Sequence, residues 1–357
     1  MQARYTNLSA LPCSAILSVT DTPDIFYFCI TFDPVIITVI VLSAIVNTLL
    51  KVGNLETMIY KEQFSEMANG LIVRAPAKIN LSLVITGKRD DGFHGIETLM
   101  AKVNFYDEIF IEPTEKDGIE LICTGPQWAP QNKDNLVYKA AEMLLGQCGI
   151  KPRIKLTLKK NIPAGTGLGS ASSDAAATLI GIKKILNLKI APEKIHEIAS
   201  GLGSDVPFFL GGPLAFCTGK GEKINKIREK VNFSAILILS NINSSTAKVY
   251  GNYKHNAELY EQLSEKINVL MGKNRIDLII KMCTNMLEKS CFDLHEELAK
   301  LKLEIESMGI KPLCLSGSGS VMYFVVGDEP KVMAEKYQLD IKKKTGCESI
   351  IVSSNRW

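Results

Sequence analysis

The sequence predicts an α+β chain with mostly antiparallel sheet, on three observations. Short segments alternate apolar and polar residues, longer segments repeat apolar residues at helical spacing, and the two kinds arrive in mixed clusters rather than in strict alternation. Ile79, Leu81, Leu83 and Ile85 alternate with Asn80, Ser82, Val84 and Thr86, the period of a half-buried strand, and the run stops at residues 88–92, where Asp-Asp-Gly supplies turn chemistry. Short strands are expected at 96–103, 108–112 and 119–123. A helix follows with Asp134 as N-cap, Leu136, Val137, Ala140, Ala141, Leu144 and Leu145 on one face and Gly149 as its stop. RIKLTLKK, residues 153–160, alternates again and enters a glycine-rich loop. Helices are then expected near 172–187, 192–200, 257–272, 275–289 and 293–308, and strands at 234–240, 312–316, 321–326 and 348–353. A domain boundary is expected in the charged stretch 220–232.

With 46% apolar and 22% charged residues over 357 positions, the chain is long enough for one large or two ordinary domains, and disordered, collagen-like and disulfide-miniprotein classes are excluded. The net charge of +3 hides an asymmetry: the first 66 residues are net acidic and the remainder net basic. Residues 25–50 carry one charge, Asp33, and the uninterrupted apolar run 34–50 is at the lower edge of a bilayer span. Its flanking charges set no orientation, and it fits neither a transit peptide nor a cleavable signal. Because a strand-like pattern opens at Met67, residues 1–66 are read first as a start-site artefact or dispensable extension, second as a membrane anchor, third as a packed extra element. Membrane contact is expected only if 25–50 is a real anchor.

Nine cysteines show no C-x-x-C and read as small core hydrophobes in a reducing compartment, the cytoplasm. Four histidines without H-E-x-x-H make a metalloprotease a poor reading, and no metal ligand set is assigned.

The chemistry concentrates in IPAGTGLGSASSDAA, residues 162–176, between a predicted strand and a predicted helix. Its glycines permit positive φ and close ligand approach, and its serines stand where a helix begins, a place that attracts phosphate. A Walker A loop needs a Lys that is absent here, the dinucleotide fingerprint lacks its third Gly, and the protein-kinase H-R-D and D-F-G signatures are missing.

This loop resembles the second motif of the GHMP kinase superfamily, P-x-x-x-G-L-G-S-[SA]-[SA], met by Pro163 and residues 167–172. APAKINLSL, residues 75–83, is similar to the superfamily's first motif, and LCLSGSGSVMYFV, residues 313–325, to its third. Residues 76–100, with G-K-R-D-D-G-F-H, resemble the branch that phosphorylates a cytidine diphosphate ester of methylerythritol, as do GLGSDVPFFLGGPLAFCTGKGE (201–222) and SSTAKVY (244–250). The likeness spans roughly 71–353.

The resemblance implies a two-lobed fold, an N-terminal ribosomal-protein-S5-domain-2-like lobe at 67–226 that binds ATP and a C-terminal ferredoxin-like lobe at 227–357 that binds substrate. It implies ATP-dependent phosphorylation of the C2 hydroxyl of that ester, in non-mevalonate isoprenoid precursor synthesis, with mevalonate, homoserine or sugar kinase activity as the alternative. By carry-over, Asp205 accepts the hydroxyl proton and Lys78 lies beside it. Pro163, Ala164, Gly165, Thr166, Gly167, Leu168, Gly169, Ser170, Ala171, Ser172 and Ser173 hold the nucleotide. Asn80 bonds the substrate, Phe93 and Tyr250 stack on cytosine, His94 bonds the base edge, and Ser316, Gly317, Ser318 and Gly319 close the site. Mg²⁺ is expected with ATP, and no nucleic-acid partner. Two positions depart from the pattern: Phe93 stands where relatives usually have Tyr, and Gly169-Ser170-Ala171 where they often read G-G-G.

Overall fold

A computed structural model describes residues 30–32, 35–37, 62–229, 231–326 and 331–357, and the chain divides into two compact units, 1–61 and 62–357. In the first unit β1 (Ile30–Phe32) pairs antiparallel with β2 (Val35–Ile37). The rest of the apolar run 34–50, and with it the anchor reading, lies outside the described residues. Among the described residues no helix is long and apolar enough to cross a membrane.

In the second unit the expected strand 79–85 is the middle of a much longer one, β4 (Gly70–Lys88). The half-buried expectation is corrected: Asn80, Ser82 and Val84 are as buried as Ile79 and Leu81, because apolar layers cover both faces of the strand. The strands expected at 96–103 and 108–112 are one continuous β5 (His94–Pro113), antiparallel to β4 with register shifts, including one between Pro76 and Ala77 and one between Asn80 and Ser82. Such irregularities re-aim side chains, and here they flank Lys78 and Asn80. β3 (Phe64–Met67) pairs with β4, so the folded unit begins upstream of Met67, at Glu62.

The eight-stranded sheet runs β11-β4-β5-β7-β6, with β6 (Gly118–Thr124), β7 (Arg153–Lys159) and β11 (Thr284–Asn285); β3 attaches to β4, and β8 (Leu214–Thr218) with β9 (Lys223–Lys226) to β5. One face carries α1 (Leu136–Gln147), α2 (Ser170–Ile185), α3 (Pro192–Leu202) and the single turn α4 (Val206–Phe209). A four-stranded antiparallel sheet of order β12-β13-β10-β14 comprises Cys314–Leu315, Met322–Val325, Ser234–Leu239 and Glu348–Ser353. Its residues Ile236, Leu315 and Met322 share one apolar core with Ile79, Leu83 and Leu99 of β4 and β5. The α+β expectation with mostly antiparallel sheet therefore holds; β4–β11 and β6–β7 are its parallel pairs.

Four expectations need correction. The N-cap of α1 is Asn135, whose Oδ1 accepts from the Val137 N–H, rather than Asp134. Asn135 Nδ2 donates to the Pro130 carbonyl, a loop contact invisible to periodicity. The single helix expected at 275–289 is α7 (Ile276–Met282), which ends at Cys283 with φ 49°, followed by β11 and by α8 (Glu288–Leu294). The nine-thiol reading fails at one pair, since Cys283 is bonded to Cys314. Finally α10 (Lys331–Thr345), read as no element from the sequence, is helical; Ala334 and Ile341, seven apart, face the core. Between α8 and α10 comes α9 (Glu296–Glu306), and α5 (Thr246–Asn252) and α6 (Ala257–Gly272) precede α7.

Candidate active site

The phosphate loop is held by charge buried beneath it. Lys160, at the end of β7, is 2% exposed and donates to Asp107, to Ser170 Oγ and to Asp174 Oδ2, the last at 2.6 Å. Asp107 Oδ1 accepts from the Asn161 and Ile162 N–H groups at 2.5 and 2.8 Å, so it caps the entry to the loop. Burial pushes the Asp174 carboxyl well above the usual carboxylate range against the opposing pull of Lys160. Burial works against the Lys160 ammonium, but the charges of Asp174 and Asp107 outweigh it and raise its pKa. Sequence reading missed Lys160, Asp107 and Asp174, because the three meet only through tertiary pairing of β5, β7 and α2.

Above this cluster the loop turns into α2. Gly169, in the left-handed region at φ 69°, is the N-cap and supplies no side-chain acceptor. The first-turn N–H groups of a helix lack intrahelical partners, so this end can bind an anion. A Cβ at Gly169 would come within 2.9 Å of Lys78 Cγ and 3.0 Å of Phe209 Cζ, so the missing side chain is what lets the lysine stem cross the helix end.

Lys78 Nζ lies 2.5 Å from Asn80 Oδ1 and 3.7 Å from Asp205 Oδ2. Asn80 Nδ2 donates to Thr98 Oγ1, whose hydroxyl donates to the Ser82 carbonyl, and this chain fixes the amide so that its oxygen faces the ammonium. Tyr323, from β13, donates its hydroxyl to the Asn80 carbonyl at 2.8 Å. Asp205 immediately precedes α4, and the buried Phe208 and Phe209 anchor that turn. Cys217 is buried nearby; burial first and the Asp205 charge second push its thiol up to about 12, so it stays protonated and unreactive.

These groups share one cavity of about 710 Å³. Residues 163–172 line it with Lys78, Asn80, Asp205, Phe93, His94, Tyr250, Gly317 and Ser318. Three expected residues stand outside the lining. Ser173 is buried with its hydroxyl unpartnered among the described residues, Ser316 donates its hydroxyl to the Gly167 carbonyl, and Gly319 packs on Cys291 and Leu315. At the aromatic part of the cavity the His94 and Tyr250 rings are 5.3 Å apart, and Tyr253, not foreseen, meets His94 edge-on at 5.8 Å. Phe93 is exposed, with Lys220 Nζ 4.8 Å from its ring centre. Burial, then the Lys88 and His255 charges, hold the His94 imidazole below its ordinary range, so it is neutral near pH 7, with one donor and one acceptor nitrogen.

The GHMP kinases N terminal domain matches residues 135–213, the stretch from α1 through the phosphate loop and Asp205. Over 262 residues, 73% of this chain and 90% of the relative, the sequence is 35% identical to the 4-diphosphocytidyl-2-C-methyl-D-erythritol kinase of Bacillus cereus (strain B4264). The chain belongs to this kinase family. The family enzyme of Bacillus cytotoxicus is 36% identical over 265 residues, again 90% of its length. A crystal structure of 4-(cytidine 5'-diphospho)-2C-methyl-D-erythritol kinase superposes with TM-score 0.64 at 25% identity, covering 80% of this chain and all of that one. Homoserine kinase from Cytophaga hutchinsonii, at TM-score 0.63 and 21% identity with 83% and 98% covered, shares the fold. The superfamily resemblance drawn from the motifs and the two-lobed kinase fold are thereby established.

Proposed function

We propose that the protein uses ATP to phosphorylate the C2 hydroxyl of 4-diphosphocytidyl-2-C-methyl-D-erythritol, releasing ADP, in non-mevalonate isoprenoid precursor synthesis. The observation that carries this reading is that one cavity is lined both by the phosphate loop with the Lys78–Asp205 pair and by the His94–Tyr250 ring pair. A kinase for mevalonate or homoserine has no base to hold and no use for the aromatic part.

A tertiary hydroxyl is a crowded nucleophile, so orientation, proton removal and charge stabilisation must all be supplied. Asp205 would take the hydroxyl proton as the oxygen attacks the γ-phosphorus, and the ammonium of Lys78 beside it stabilises negative charge on the transferring group. Residues 163–173 act as the nucleotide loop, with Ser173 supporting it from within. Asn80 bonds the methylerythritol part; Phe93 and Tyr250 stack on cytosine and neutral His94 bonds its edge, since a base offers a π-face and a polar rim. Gly317 and Ser318 close the cavity from the C-terminal lobe, braced by Ser316 and Gly319.

Among the described residues no group of three His, Cys, Asp or Glu side chains is gathered to hold a metal. Mg²⁺ would come with the nucleotide, because it prefers phosphates and water with few protein ligands. Ser172 is the hydroxyl we would assign to it, and the ion would neutralise phosphate charge. The same reading makes the stretch from Glu62 to residue 226 the ATP-binding lobe and 227–357 the substrate lobe, with the residues before Glu62 an extension, a cytoplasmic location and no nucleic-acid partner.

The test is ADP release by the full chain with ATP and each of three acceptors: the cytidine diphosphate ester, mevalonate and homoserine. Turnover of the ester alone is expected; turnover of mevalonate or homoserine without the ester would sink the assignment.

A further inference from the structure

We propose that Asn285 is a positioning residue that holds the glycine segment 316–320 against Lys78 and Asn80, a role that rests on the kinase reading above. Asn285 lies in β11, a strand of two residues that pairs parallel with Ser82 and Leu83 of β4, next to the site lysine's own strand segment. Its amide is fully used. Nδ2 donates to the Leu315 carbonyl at 2.9 Å and the Gly317 carbonyl at 2.8 Å, while Oδ1 accepts from the Leu287 N–H at 2.9 Å, the entry to α8.

The first carbonyl ends β12 at the entry to the segment, and the second belongs to the segment's part that lines the site. Gly317 has φ 58°, and a Cβ there would stand 3.1 Å from Asn80 Oδ1 and 3.4 Å from Lys78 Nζ. Its backbone is therefore the wall against which the ammonium rests. Rotation of the peptide after Gly317 either presses on Lys78 or leaves space beside it, and both change the distance from the lysine to Asp205. The same segment is tied to the phosphate loop, since Ser316 Oγ donates to the Gly167 carbonyl and the Val321 N–H to the Thr166 carbonyl. One amide thus fixes the segment between the lysine and the nucleotide loop. The Cys283–Cys314 bond joins the residue just before β11 to β12, with Cα atoms 5.3 Å apart, next to this contact.

The test separates the two halves of the side chain. Asn285→Asp keeps an oxygen for the Leu287 N–H and replaces the donor with an oxygen facing two carbonyls. Loss of two hydrogen bonds with added repulsion is expected to lower kcat about 10- to 100-fold, with KM for ATP and for the cytidine ester changed by less than about threefold. Amide hydrogen exchange should quicken at 316–320 and stay unchanged in α8. Asn285→Ser, with one hydroxyl donor, should fall between the two and serves in its place if the Asp variant does not fold. Wild-type kcat, or unchanged exchange at 316–320, in the folded variant would overturn the proposal; a role confined to capping α8 gives that outcome. Failure of the wild type to use the cytidine ester would strike the proposed function alone, because the exchange comparison is read without turnover.

Discussion

The Lys78 ammonium stands 3.7 Å from Asp205 Oδ2, and the two side chains differ in exposure, 5% against 29%. The lysine is locked by Asn80, while the carboxylate keeps an open side toward the cavity. A base needs that open side to reach a substrate proton, whereas a charge stabiliser needs the fixed position.

Asp205→Asn keeps the shape of the side chain and removes its capacity to take a proton. Phosphoryl transfer to the cytidine ester should fall by about 10²- to 10⁴-fold, the range of general base catalysis. Nucleotide affinity, measured by calorimetry, should stay within a few-fold of wild type. Unchanged kcat would remove Asp205 from the role of base.

Lys160→Met tests the support beneath the phosphate loop. The substitution strands Asp107, which is fully buried, without its ammonium, although its two backbone donors remain. Breaking a buried pair from one side costs about 3–5 kcal/mol, and the urea midpoint should drop accordingly. A variant as stable as wild type would show that the cluster carries no such load.

What could be read from the sequence were features written in contiguous residues. The alternation at 79–85, the glycine loop and the motif around Asp205 each announce themselves within about ten positions. Lys160 could not be recognised beside Lys159, because what distinguishes them is which face of β7 meets Asp107 of β5. Asn285 sits inside a stretch whose apolar spacing, Ile276, Ile279, Ile280 and Leu287, reads as helix; the break at Cys283 comes from pairing with Cys314 and β4, which periodicity does not encode. Val84 and Asn80 were misjudged for a related reason, since the second layer over β4 is built from residues past 230.

His94 gives a pH dependence of known sign. Burial first, then the charges of Lys88 and His255, hold its folded pKa below 6.5, so above that value the ring is neutral in folded and unfolded protein alike. As pH falls from 6.5 through the folded value, the unfolded state binds its proton first and the stability contributed by the neutral ring is lost. KM for the cytidine ester should be flat above 6.5 and rise below the folded value, where the acceptor nitrogen is protonated. Steady-state kinetics across roughly pH 5 to 8 check this. The same rise in His94→Gln would mean that another group is responsible.

Lys102 supplies a second pH test, in stability. The side chain is 1% exposed; Nζ donates to the Phe209 and Gly211 carbonyls at 3.1 and 2.8 Å, behind the turn that follows Asp205. The rings of Phe208 and Trp357 lie 6.0 and 5.9 Å from the ammonium. Burial alone lowers its pKa from 10.5 to about 7. Below about 7 the folded protein carries a desolvated ammonium, and its penalty is complete. Between about 7 and 10.5 the unfolded state holds a proton that the folded state has released, so the contribution of Lys102 to stability rises with pH across that window, by up to about 1.4 kcal/mol per unit. Lys102→Met retains the apolar stem and abolishes the titration. Urea unfolding of both proteins at a series of pH values should therefore give a stability difference, wild type minus variant, that is level on the acid side of neutrality and climbs on the alkaline side. A difference that stays constant with pH would mean that the ammonium reaches water and pays no burial penalty.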